Sequence, residues 1–83
     1  MSIELTKRAK KDLKKPDAVT RERILLTLYK FEMHQENIDF SKLSDSSDKW
    51  RIRVGRWRVV LDKNAKSGKW QVLYIKLRPK AYK

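Results

Sequence analysis

Trp50-Arg-Ile-Arg-Val-Gly-Arg-Trp-Arg-Val-Val-Leu61 is the stretch whose reading decides the fold. Trp50, Ile52 and Val54 alternate with Arg51 and Arg53; after Gly55-Arg56, Trp57, Val59 and Leu61 resume the apolar beat. Period two belongs to strands with one buried face. A two-residue connection that opens on glycine predicts a type II′ hairpin. The turn then sets the register: Val54 faces Trp57, Arg53 faces Arg58, Ile52 faces Val59 and Arg51 faces Val60. In that register Trp50 and Trp57 fall on the core side, while Arg51, Arg53 and Arg58 share the other.

Like charges directly opposite each other on a sheet cost roughly 0.2–1 kcal/mol. A sequence selected for stability alone would place glutamate or threonine at one of these positions. A single arginine can simply cover the solvent side of a sheet with its long stem. The cluster, joined by Lys76 and Arg78 from the last strand, fits phosphate binding better. A guanidinium grips two phosphate oxygens at once and keeps its charge when desolvated.

Outward from the hairpin, Ser2–Thr6 alternates as a short strand and Thr6 can cap a helix over Lys7–Lys15. Ala9 and Leu13 form its thin apolar stripe, and Lys7, Arg8, Lys10, Lys11, Lys14 and Lys15 crowd the rest. Pro16-Asp17 starts a second helix that runs to about Asn37, with Ile24, Leu28 and Phe31 at helical spacing. Residues 38–49 read as a loop with Asp-Ser-Ser-Asp turn chemistry at 45–48. Beyond the hairpin, Lys63–Gly68 is a loop and Trp70–Arg78 a last strand. Strict alternation puts Leu73, Ile75 and Leu77 on one side of it, and Tyr74, Lys76 and Arg78 on the other. Trp70 and Val72 then join Tyr74 in an outer apolar patch, to be covered by the chain's tail or by a partner. Asp62 is expected to pair with Lys49 at the strand end, and the one histidine, His34, to lie on the surface of the second helix. The order β-α-α-β-β-β predicts an α+β domain over residues 1–83, a helix hairpin packed on a small antiparallel sheet.

Composition narrows the function. The 83 residues hold 22 Lys and Arg against 10 Asp and Glu, a formal charge of +12. Such self-repulsion points to a polyanionic partner, most often nucleic acid. Cysteine is absent, which excludes disulfides, thiol catalysis and Cys-based zinc sites. No apolar run spans a membrane or builds a signal peptide, so a soluble, cytoplasmic chain with no membrane partner is expected.

Arg51-Ile-Arg-Val-Gly-Arg-Trp-Arg-Val-Val60 resembles the central motif of the RelE/ParE toxin superfamily, and Lys42-Leu43 the Lys-Leu that often precedes it. Residues 75–82, Ile-Lys-Leu-Arg-Pro-Lys-Ala-Tyr, are similar to the family's C-terminal strand. The likeness spans the chain in length and element order. It implies a RelE-like, microbial-ribonuclease-like fold, a type II toxin with a cognate antitoxin, and cleavage of mRNA in the ribosomal A site. By position it implies a catalytic set of Arg51, Arg53, Arg58, Arg78 and Tyr82. Lys7, Arg8, Lys10, Lys11, Lys14 and Lys76 are the further RNA-binding candidates, the helical ones for docking on 16S rRNA or as a solvated face.

Such a site would cut RNA without metal or cofactor, because the nucleophile is the substrate's own 2′-hydroxyl and the product a 2′,3′-cyclic phosphate. Arginine makes a poor general base, and Leu77 stands where relatives commonly have histidine; Lys76 is one substitute. Two alternatives stay open: a ParE-like gyrase poison, and a basic RNA- or DNA-binding module without chemistry.

Overall fold

A computed structural model describes residues 3–33, 38–43, 48–64 and 66–77. Its elements are β1 (Ile3–Leu5), α1 (Lys7–Asp12), α2 (Ala18–Glu32), β2 (Phe40–Lys42), β3 (Trp50–Val54), β4 (Trp57–Lys63) and β5 (Trp70–Leu77). The sheet runs β1-β5-β4-β3-β2. This is the expected α+β layering, with two differences. Phe40–Lys42 is a strand rather than loop, antiparallel to β3, and β1 joins β5 in parallel, so the sheet is mixed and not purely antiparallel.

The hairpin has the register that its alternation dictates. Trp50 pairs with Leu61, Arg51 with Val60, Ile52 with Val59, Arg53 with Arg58 and Val54 with Trp57. Gly55 turns the chain at φ +59°, where an L side chain would be strained. Ile24, Leu28 and Phe31 of α2 pack with Ile52, Val54, Val59, Leu61, Val72 and Ile75 into one core. Trp50 and Trp57 sit partly buried against it.

β5 departs from simple alternation. Val60 pairs with Tyr74 but Leu61 with Val72, which leaves Leu73 as an extra residue on β5. This bulge swaps the faces of everything before it. Val72 is therefore fully buried and Trp70 packs on the core, so the expected outer patch of Trp70, Val72 and Tyr74 does not form. Trp70 instead meets Phe31 and Phe40 edge-on, at 5.3 and 5.7 Å between ring centroids, beside a Phe40–Trp50 stack at 4.8 Å.

The helices begin on side-chain caps. Thr6 Oγ1 accepts from the Ala9 N–H and donates to the Leu73 carbonyl, fastening the start of α1 to the bulge. Asp17 accepts from the Thr20 N–H, and hydrogen bonding to Thr20 holds its carboxyl below the usual value. Pro16 thus precedes the cap instead of opening the helix, and α1 stops at Asp12, three residues short of expectation. β1 pairs only with residues 70–72, and α1 takes over along the rest of that edge. There Asp12, 6% exposed, accepts from the Ile75 N–H at 3.1 Å. Among the described residues no helix is long and apolar enough to cross a membrane.

Candidate nucleic-acid interface

Side chains pointing away from the core build the other face of the sheet. Register places Arg53, Arg58 and Lys76 side by side across β3, β4 and β5, with Arg51, Val60 and Tyr74 in the neighbouring row. Adjacent strands lie about 4.8 Å apart, so three cations fall within roughly 10 Å. Val60 is fully buried yet lies outside the core cluster. Its neighbours in the row are Arg51 and Tyr74, one on each side. The Arg51 side chain is only 16% exposed.

The arginines of β3 are not free. Asp39, just ahead of β2, sets Oδ1 3.2 Å from Arg51 Nη1 and Oδ2 3.8 Å from Arg53 Nη1. Its carbonyl also accepts from the Arg53 N–H, which brings Asp39 alongside Arg53 in the sheet. Asp39 falls within residues 38–49, which read as loop in the sequence. The signal was present: Ile38-Asp39-Phe40-Ser41 alternates, with Asp39 on the polar beat.

Arg58 and Lys76 have no carboxylate partner among the described residues. Arg58 Nε is buried and unpaired, as is Arg53 Nε. A buried N–H without an acceptor costs about 1–3 kcal/mol, which an arriving oxyanion would offset. Lys76 Nζ lies 5.6 Å from the centre of the Tyr74 ring. Asp62, paired across the sheet with Gln71, has Oδ1 buried and unpaired.

Of the helical candidates, Arg8 alone reaches this face, its guanidinium carbon 4.7 Å from the Tyr74 ring centre. Lys7, Lys10, Lys11 and Lys14 are exposed. Arg78, Tyr82 and His34 lie outside the described residues, so the last members of the expected catalytic set are unplaced.

No protein-family model matches the sequence, and no curated protein is significantly similar to it. Solved structures are. A chain of the archaeal RelE–RelB complex from Pyrococcus horikoshii OT3 is 26% identical with a TM-score of 0.76, over 96% of this chain and 97% of that one. The RelB–RelE antitoxin–toxin complex of Methanococcus jannaschii matches at 22% identity and TM-score 0.74, over 89% and 88%. The isolated E. coli RelE toxin matches at 18% and 0.73, over 96% and 86%. The mixed five-stranded sheet, the helix pair and the near-complete mutual coverage give this chain the fold of the RelE toxins, and the likeness to the Pyrococcus horikoshii RelE–RelB complex supports the RelE/ParE toxin superfamily.

Proposed function

We propose that residues 1–83 form the single domain of a type II toxin that cleaves mRNA in the ribosomal A site, held in check by a cognate antitoxin. The observation that carries the reading is the row Arg53–Arg58–Lys76, in which the last two cations lack any described carboxylate partner. Asp39 draws on the charge of Arg51 and Arg53, so Arg58 and Lys76 are best suited to grip a phosphate. Two of the similar structures are complexes with RelB, which supports an antitoxin partner. A cytoplasmic site of action follows from a ribosomal target.

The RNA 2′-hydroxyl oxygen attacks the adjacent phosphorus, the P–O5′ bond breaks, and a 2′,3′-cyclic phosphate and a 5′-hydroxyl result. One proton leaves the attacking oxygen and one reaches the departing oxygen, so none is gained or lost. Arg58 stabilises the charge growing on the non-bridging oxygens, and Arg78, the next residue in sequence after β5, is its proposed partner. Tyr82 orients a base, as aromatic faces hold unpaired bases well. The nucleophile comes with the substrate, so the step calls for no metal or cofactor.

Arg58→Ala and Arg78→Ala should each lower cleavage of ribosome-bound mRNA by about 100-fold or more, the scale for losing one charge-stabilising donor. Circular dichroism should stay unchanged. A 2′-deoxy nucleotide at the cut site should stop the reaction; cleavage that survives it rules the mechanism out. Trapped gyrase–DNA breaks with intact mRNA would establish the gyrase poison instead.

A further inference from the structure

The basic face does not end at β5. Arg8, at the start of α1, lies over Tyr74 at 4.7 Å and sets its Nε 3.8 Å from Asp12 Oδ2. Asp12 is itself immobilised: it is 6% exposed, accepts from the Ile75 N–H and pairs with Lys15 at 3.4 Å. Tyr74 in turn has Lys76 over its ring at 5.6 Å. The Arg8 side chain nevertheless remains 71% exposed. A long cation thus lies over an aromatic ring with a buried carboxylate near its Nε, and most of it is left to solvent. Structural duty alone does not account for this, since Asp12 already has Lys15 and a backbone donor.

From this geometry we infer that Arg8, held by Tyr74 and Asp12, forms a second phosphate subsite for single-stranded RNA, next to the one at Arg58 and Lys76. The inference rests on the proposed function only in naming RNA as the ligand. Arg53, Arg58 and Lys76 step across the sheet at about 5 Å per strand, and Arg8, over Tyr74 of the neighbouring row, adds a cation beyond β5. The nucleic-acid backbone therefore crosses the strands from the β2 side towards α1. Tyr74 is a positioning residue here: it holds a guanidinium ready for the next phosphate, so little side-chain freedom is lost on binding.

The test is binding of a 2′-O-methyl RNA oligonucleotide, which cannot be cut, to the full chain over a range of salt. Arg8→Ala should weaken binding about 3- to 10-fold at low salt and flatten the log–log salt slope by about 0.7, one single-strand phosphate. Tyr74→Leu leaves every charge in place yet should weaken binding by a similar factor, and Tyr74→Phe should restore it. Lys66→Ala, in the β4–β5 loop, removes the same charge and serves as the reference for general electrostatics. The subsite is overturned if Tyr74→Leu binds like the unaltered chain, or if Arg8→Ala merely matches Lys66→Ala. Melting curves identify a variant that has lost its fold; Tyr74→Phe and Arg8→Lys then carry the comparison, the lysine keeping charge without the stacked plane. Absence of salt-dependent RNA binding by the unaltered chain overturns both this subsite and the proposed function. An effect at Arg8 with none at Arg58 keeps the subsite and removes the proposed phosphate grip.

Discussion

Asp12 shows how much one side chain can be asked to do. Its carboxylate is buried, and the Ile75 N–H beside it has no strand to pair with on that side. Arg8 and Lys15 are 71% and 64% exposed, so their ion pairs are screened and contribute little to stability. Asp12→Ala should therefore cost about 1–3 kcal/mol through the orphaned amide, and Asp12→Asn should recover most of it. Urea unfolding decides: an alanine variant as stable as its parent would show that water replaces the carboxylate. The role of this residue was not legible in the sequence, and Asp39 showed only as a polar beat with no partner attached, for a common reason. Their partners stand 63 and 12 residues away, and only the assembled sheet brings them together. The shared face of Arg51, Arg53 and Arg58 was legible because a two-residue turn leaves it no freedom.

At the scale of elements, α2 lays Ile24, Leu28 and Phe31 on the core side of the sheet, and α1 adds Ala9 to the same core. Leu28→Ala should destabilise by about 2–5 kcal/mol, transfer and cavity costs combined. Thermal or urea melts check the figure, and a loss below 1 kcal/mol would mean that the helix is only loosely seated. The hairpin was readable because apolar and charged residues alternate without ambiguity. β5 was not, since Val72-Leu-Tyr-Ile75 is apolar throughout and alternation carries no mark of parity there. The bulge at Leu73 is decided by tertiary demands: Trp70 completes the aromatic cluster while Tyr74 and Lys76 stay on the basic side. β2 leaves only the brief alternation of Ile38–Ser41, too short to stand out from a polar neighbourhood.

For the whole molecule, a charge of +12 on 83 residues means that the folded state works against its own field. Compaction gathers the lysines and arginines, and the five-stranded sheet sets Arg58 between Arg53 and Lys76. Salt shortens the reach of that repulsion, from about 30 Å at 0.01 M to about 8 Å at 0.15 M. The isolated chain should therefore melt higher as ionic strength rises, and about 1 kcal/mol of relief corresponds to about 4–8 °C. Differential scanning calorimetry in sodium chloride would show it, and a flat or falling melting temperature would mean that ion pairs, not repulsion, dominate the balance. RNA affinity should move in the opposite direction under the same salts, so the conditions that best preserve the free protein are those in which it binds worst.

The extra residue in β5 also constrains how this chain can change by descent. Substitution can rewrite the strand letter by letter, and a single codon lost at Val72 or Leu73 would only take the bulge out, leaving Trp70 on the core side and Tyr74 on the basic face. A codon lost between Tyr74 and Leu77 finds no such slack and would turn Lys76 towards the interior. The loop before Trp70 has no such reading frame, and length variation should collect there instead.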